Sequence, residues 1–296
     1  MKTAKTICGI GQALTFGLVA TLKAQNLYVA NYGNDTIGEY GLDGSTVNAS
    51  LILADRPNGI ATSGNDLFVG NWGNGTVGEY TTAGATVNAS LISGLDEPAG
   101  IAISGSDLFV ANSVIGFAGN GSLGEYTTAG ATVNASLVSG LTDPLWIAIS
   151  GNELFVSING LNVGEYTTAG ATVNASLILA NGPEGIAISG NDLFVANYRA
   201  GTVGEYTTAG ATVNASLISG LDGPVGIAIS GNDLFVVNTG NGSIGEYGLD
   251  GSTVNASLIS GLDDPQGIAI STVPEPSTVA LVGLGAAALW LRRRDK

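Results

Sequence analysis

Six copies of Gly-Glu-Tyr, four short β-type runs in each unit, and complementary incomplete units at the two ends predict an all-β chain folded as a six-bladed β-propeller. The repeated tyrosines are Tyr40, Tyr80, Tyr126, Tyr166, Tyr206 and Tyr247, spaced by 40, 46, 40, 40 and 41 residues. Residues 98 to 139 show the unit: Gly-Ile-Ala-Ile, Asp-Leu-Phe-Val, Ser-Leu-Gly-Glu-Tyr and Thr-Val-Asn-Ala-Ser-Leu, here called strands a, b, c and d. The repeat enters on a b-type run, Asn26-Leu27-Tyr28-Val29, and ends on an a-type run, Gly267-Ile268-Ala269-Ile270. The last strand therefore completes the first blade, with Gln266 to Ile270 expected beside Leu27 to Ala30, because that pairing satisfies both open edges. A linear β-solenoid would not need complementary ends.

Composition narrows the chemistry. Of 296 residues, 46 are Gly, 45% are hydrophobic and 11% are charged, which supports a packed core and opposes disorder. There is no His, and the single Cys is Cys8. His-based triads, His metal sites, disulfides and four-Cys zinc sites are excluded, and neither a metal nor a cofactor is expected. Lys2, Lys5, Lys23 and Lys296 all lie near the termini, leaving no Schiff-base lysine in the body. Residues 25 to 276 hold 23 acids against Arg56 and Arg199, a net charge of −21. So acidic a body opposes nucleic acid or anionic lipid as partners and suits cations, neutral glycans or plain solubility.

Both ends read as processing signals. Lys2 and Lys5, then an apolar stretch from Ile7 to Leu22 and the small Ala24, form a secretory signal over residues 1–24, with Leu22 departing from the small residue expected before the cut. Residues Lys5, Thr6 and Ile7 do not form a lipobox. At the other end Val273, Pro274, Glu275, Pro276 and Ser277 precede an apolar run from Val279 to Leu291 and then Arg292, Arg293 and Arg294. This order resembles the PEP-CTERM sorting tail of exported bacterial proteins. The resemblance implies recognition by an exosortase, a membrane transpeptidase, in bacteria that also make exopolysaccharide. Thirteen helical residues reach ~20 Å, short of the ~30 Å hydrocarbon core, which suits a transient anchor, and the arginines would hold the tail's end in the cytoplasm. The expected organisation is a signal helix at 1–24, a propeller at 25–272 and a sorting tail with a short hydrophobic transmembrane helix at 273–296. The expected location is the surface or exterior of a Gram-negative-type bacterium after transient membrane anchoring.

The units also resemble NHL-type repeats. Asn71, Asn74, Val77 and Tyr80 fall at that family's Asp, Asn, Ile and aromatic positions, and Pro98-Ala99-Gly100-Ile101-Ala102 is similar to its Pro-x-Gly-Ile-Ala element. Asn71 and Thr76 replace the usual Asp and Arg, so any ion pair there is absent. Family enzymes that use His with zinc find no counterpart in a chain without His.

Features present in every blade are read as structural, because six copies around a ring cannot line one site. Tyr28, Phe68, Phe109, Phe155, Phe194 and Phe235, with the six repeated tyrosines, are assigned to packing between blades. Glu39, Glu79, Glu125, Glu165, Glu205 and Glu246 are read as solvated rim residues rather than a carboxylate or calcium ring. Asn-Asp and Asp-Gly pairs such as Asn34-Asp35 and Asp250-Gly251 lack calcium-loop spacing, and turn chemistry accounts for them. Asn-Ala-Ser recurs at Asn48, Asn88, Asn134, Asn174, Asn214 and Asn255; it matches the glycosylation triplet, but its place inside a d-strand is explained by repeat duplication.

The residues that break the repeat are the functional candidates. Tyr32, Trp72, Phe117, Trp146 and Tyr198 all fall in the b-c or d-a connections, which a four-stranded meander brings out on one face. Arg56 and Arg199 share these connections, as do Asp55, Asp96, Glu97, Asp143, Glu184, Asp222, Asp263 and Asp264. Trp146 replaces the Gly of the other five Pro-x-Gly elements. The candidate ligand site is therefore Tyr32, Trp72, Phe117, Trp146, Tyr198, Arg56, Arg199, Glu97 and Asp143, with the two Trp rings expected to be well exposed. Flat rings stack on pyranose faces and carboxylates accept hydroxyl hydrogen bonds, so a saccharide such as exopolysaccharide is the expected ligand of a non-catalytic surface or matrix protein. The alternative is a carboxylate-driven glycosidase or lyase on the same face, among Asp96, Glu97, Asp143 and Glu184, which needs two carboxyls ~5 to 9.5 Å apart.

Overall fold

A computed structural model describes residues 25–114, 119–160 and 162–271 of the chain. The expected terminal helices, the sorting residues and Phe117 lie outside the described residues. Six antiparallel four-stranded sheets run in the order a-b-c-d. Blade 1 takes strand a from the end of the repeat: Pro265–Ile270 lies beside Asn26–Asn31, followed by Thr36–Gly41 and Thr46–Leu53. The register is Leu27 to Ile270, Tyr28 to Ala269 and Val29 to Ile268, so the expected closure is observed. Ser271 ties the seam further, its hydroxyl accepting from Asn26 N at 2.8 Å and its N–H reaching Asn26 O at 2.9 Å. Thr62 donates to Ile270 O at 2.8 Å, joining blade 2 to the closing strand.

The a-strands of successive blades touch each other around the axis, and the d-strands form the outer edge. Six hydrophobic clusters hold the ring, one at each joint between blades. Tyr28, Ile37 and Ile52 of blade 1 meet Leu67, Val69 and Tyr80 of blade 2, and Phe109 and Leu123 of blade 3 meet Val156 and Tyr166 of blade 4. All twelve repeated aromatics are buried, as blade-to-blade packing requires. Close approach at the axis explains one repeated glycine. A Cβ at Gly59, Gly100, Gly185, Gly226 or Gly267 would run into the carbonyl of the next blade's strand a. Blade 4 carries Trp146 there, and its N–H turns to the Ser157 hydroxyl at 2.9 Å. Ser157 stands where the other blades have Ala30, Gly70, Ala111, Ala196 and Val237, so the two departures form a compensating pair.

The repeated glutamates keep solvent contact in five blades but are less solvated than a free rim position. Each stands in strand c opposite the strand-b aromatic and the strand-d Asn, as Glu79 does between Phe68 and Asn88, and is partly covered; Glu165 is only 8% exposed. Desolvation raises the carboxyls of Glu79, Glu125, Glu165, Glu205 and Glu246, and the acid that opens strand b (Asp66, Asp107, Glu153, Asp192, Asp233) adds to it. Blade 1 has Asn26 at that place, and its amide donates to Glu39 at 2.7 Å.

Candidate functional site

The b-c and d-a connections emerge together because backbone hydrogen bonds join them within each blade. The N–H groups of Tyr32, Trp72, Ser113, Asn159, Tyr198 and Thr239 donate to the carbonyls of Asp264, Arg56, Glu97, Asp143, Gly182 and Gly223, at 2.8 to 3.2 Å. Each acceptor immediately precedes the proline that opens strand a, and each has positive φ: 48° at Arg56 and Glu97, 45° at Asp143, 47° at Asp264, 72° at Gly182 and 62° at Gly223. Glycine adopts this conformation freely, whereas a residue with a Cβ is strained by about 1 kcal/mol. Four blades keep a charged side chain at the strained position, and three of those side chains, Arg56, Glu97 and Asp143, are candidate site residues. Asp143 also carries a buried Oδ1 with no hydrogen-bond partner among the described residues. Asp143→Gly is accordingly expected to raise stability by about 1–2 kcal/mol in chemical denaturation; a loss would show that the carboxylate is held by a group that outweighs both costs.

Trp72 organises one side of the mouth. It forms a wall of two adjoining cavities. One, of ≈ 170 Å³, is lined by Tyr32, Asn58, Trp72, Asp264 and Gln266. The other, of ≈ 370 Å³, lies between blades 2 and 3 and includes Arg56, Trp72, Asp96 and Glu97. The second reaches the range of small-ligand sites and the first does not, so the pair joined over Trp72 is the relevant unit. Trp72 and Trp146 are only partly exposed. The well-exposed rings expected from sequence are corrected: Trp72 is walled by Tyr32, Asn58 and Gln266 on one side and by Arg56, Leu95 and Glu97 on the other, and Trp146 lies within strand a beside Glu184. Tyr198, at 45% exposure, is the large aromatic that does project among the described residues.

A second cluster forms at blades 4 and 5, which stand across the ring from blades 1 and 2. Glu184 lies at the start of strand a, between Trp146 of the preceding blade and Arg199 of its own b-c turn. Burial pushes its carboxyl up to about 7, against the weaker opposing pull of the Trp146 indole N–H and the Arg199 charge. Glu184 keeps some water contact at the mouth, yet protein surrounds it closely enough for desolvation to dominate. The Arg199 side chain occupies the space that Cβ atoms would take at Gly160 and Gly182.

The structure thus gathers Tyr32, Trp72, Arg56 and Glu97 on one side and Trp146 and Arg199 on the other, with Tyr198 over Gly223 and Asp143 apart at the start of blade 4. The site expected from sequence omitted Asn58, Gln266, Asp264 and Glu184. Asp264 accepts from Thr239 and Gln266, both at 2.7 Å, fixing that part of the wall. A signal for three of these was available: the middle residue of Pro-x-Gly differs in each of these blades, being Asn58, Glu184 and Gln266 among Ala99, Leu145 and Val225. Among the described residues no group of three or more His, Cys, Asp and Glu is placed to hold a metal ion. A cavity of ≈ 420 Å³ around Asn232, Asp233, Leu249 and Asp250, at the a-b and c-d turns, has no aromatic wall.

Residues 272–294 match the PEP-CTERM protein-sorting motif. The motif implies export, transient membrane anchoring and processing by exosortase, a membrane enzyme. No curated protein matches the chain. Among solved structures, a chain of a nidogen–laminin complex superposes with a TM-score of 0.70 at 16% identity, over 84% of this chain and 99% of that one. The streptogramin B lyase structure gives 0.62 at 19% identity, over 82% and 83%. At these identities the likeness is one of fold.

Proposed function

We propose that the exported ring is a non-catalytic binding and structural component of the cell exterior that takes a saccharide, exopolysaccharide being the expected polymer, across the b-c and d-a face. The observation that carries this reading is Trp72 standing between two adjoining cavities, with Asn58, Gln266 and Asp264 on one side and Arg56, Asp96 and Glu97 on the other. A pyranose ring stacked on the indole would have carboxylate, amide and guanidinium groups within reach of its hydroxyls. One stacked ring contributes ~1 kcal/mol, so a useful site needs the second cluster at Trp146 as well.

Trp72 and Trp146 are the only tryptophans outside the sorting tail, so indole emission reports this face. Trp72→Ala combined with Trp146→Gly, the residue of the other blades, is expected to weaken exopolysaccharide binding several-fold in titration calorimetry while the ring stays folded. Indole emission unchanged across a panel of exopolysaccharides would refute the reading.

Glu184 favours a second reading, a glycosidase or lyase, since a carboxyl held protonated near neutrality is the form a general acid needs. New reducing ends or unsaturated products released from the same polysaccharides, and lost in Glu184→Gln, would replace binding with turnover.

A further inference from the structure

We propose that the six Asn-Ala-Ser triplets are acceptor sites for N-linked glycan on the folded ring, which would place sugar chains around its outer rim. The triplets belong to the d-strands, and those strands are the exposed outer edges of the blades. All eighteen triplet residues are exposed. Nor do they lie in a regular ladder. In blade 2, Glu79 pairs with Asn88 and Val77 with Ile92, so two steps along strand c oppose four along strand d, and the chain bulges outward after the Asn. The same count recurs in the other blades, as between Glu39 to Asn48 and Ile37 to Ile52, and between Glu246 to Asn255 and Ile244 to Ile259. A bulge of this kind discourages pairing with another edge and leaves the segment open to a modifying enzyme.

The local conformation is the second observation. In every blade the Asn Oδ1 accepts the backbone N–H of the Ser two residues on, at 3.1 Å: Asn48 from Ser50, Asn88 from Ser90, Asn134 from Ser136, Asn174 from Ser176, Asn214 from Ser216 and Asn255 from Ser257. This turn engages the carboxamide oxygen and brings the Ser close to the Asn side chain. Among the described residues no hydrogen bond engages the Nδ2 groups or the Ser hydroxyls, so the reacting nitrogen is free to enter a transferase site. Strand-d exposure therefore removes the objection that the triplet is locked inside a sheet, and export takes the chain out of the cytoplasm.

The step requires a polyprenyl-diphosphate-linked oligosaccharide and a membrane oligosaccharyltransferase. Asn Nδ2 attacks the anomeric carbon, the bond from that carbon to the diphosphate oxygen breaks, and polyprenyl diphosphate leaves with the electron pair. One Nδ2 proton passes to a base of the transferase, giving an N-glycosyl amide without redox change.

The test uses the full chain, purified folded in detergent and treated with such a donor and a transferase that accepts the bare triplet. Intact-mass spectrometry is expected to show a ladder of one to six glycan additions, and fragmentation to place them on Asn48, Asn88, Asn134, Asn174, Asn214 and Asn255. Ser50→Ala should remove one addition, and Ser→Ala at all six triplets should remove the ladder while leaving the thermal midpoint unchanged, since no hydrogen bond engages these hydroxyls among the described residues. Unmodified asparagine at all six sites, alongside a control acceptor that is modified, would overturn the proposal, and so would sugar found on Ser rather than Asn. Neither result bears on saccharide binding at Trp72, which belongs to a b-c turn whereas the triplets belong to the d-strands.

Discussion

Ile268→Asp is expected to destabilise the ring by about 4 kcal/mol or more, and to do so from the last strand of the repeat. Ile268 is 6% exposed, pairs with Val29, and shares a cluster with Leu27, Val29 and Tyr40 of blade 1 and Val225, Phe235 and Val237 of blade 6. An aspartate there would place an unpaired carboxyl among apolar side chains, with Arg56 and Arg199 in other connections of the ring. The equivalent change in an interior strand a, Ile227→Asp, is the control, because Ile227 is 8% exposed in the joint between blades 5 and 6. Urea denaturation of both variants should give losses within about 1 kcal/mol of each other. A loss at Ile268 much smaller than that at Ile227 would mean that the closing strand detaches without opening the ring. The carboxyl of either variant should also favour the neutral form, so acidification should return part of the lost stability.

The ring itself was legible because its information is one-dimensional. The period of Gly-Glu-Tyr marks the blades, and the b-type start with the a-type finish marks the seam, so closure at Leu27 and Ile270 follows without coordinates. The face of the candidate site was legible for the same reason, since connection class fixes the side of a meander. The partial covering of Glu79 and its equivalents was not, because it depends on how the strand-c side chain is flanked by strands b and d, which no local pattern records. The partnership of Glu184 with Trp146 and Arg199 was hidden for a related reason: it joins two blades, and no local pattern around Trp146 records the approach of Glu184 from the next blade. The Asn-Ala-Ser triplets lie in the d-strands where the repeat puts them, but their exposure at a bulge was not legible, because it depends on the register of strand d against strand c.

Glu184→Gln is expected to stabilise the folded ring above neutral pH and to leave it unchanged in acid. The folded-state value of about 7 lies above the 4.5 of an ordinary glutamate, so the native state binds this proton more tightly than the unfolded chain does. Its contribution is fully present below about pH 4.5 and is lost as pH rises through about 7, where the carboxylate must be kept out of water. The full gap corresponds to about 3 kcal/mol, and the residual water contact at the mouth reduces it, so a gain of about 1–3 kcal/mol is expected for the amide at pH 8.5. Glu79, Glu125, Glu165, Glu205 and Glu246 are raised as well and act with the same sign, so the pH profile of the parent chain is a sum over several carboxyls. The difference between parent and Glu184→Gln isolates one of them. Urea denaturation at pH 4 and pH 8.5 measures it: a difference that opens between the two values places a titrating carboxyl at the mouth beside Trp146, and equal stability at both would mean that Glu184 stays hydrated and charged. A proton retained there near pH 7 would also make Glu184 a hydrogen-bond donor toward a sugar oxygen, so saccharide affinity lost between pH 6 and pH 8 in the parent but constant in the amide would tie the same carboxyl to the ligand.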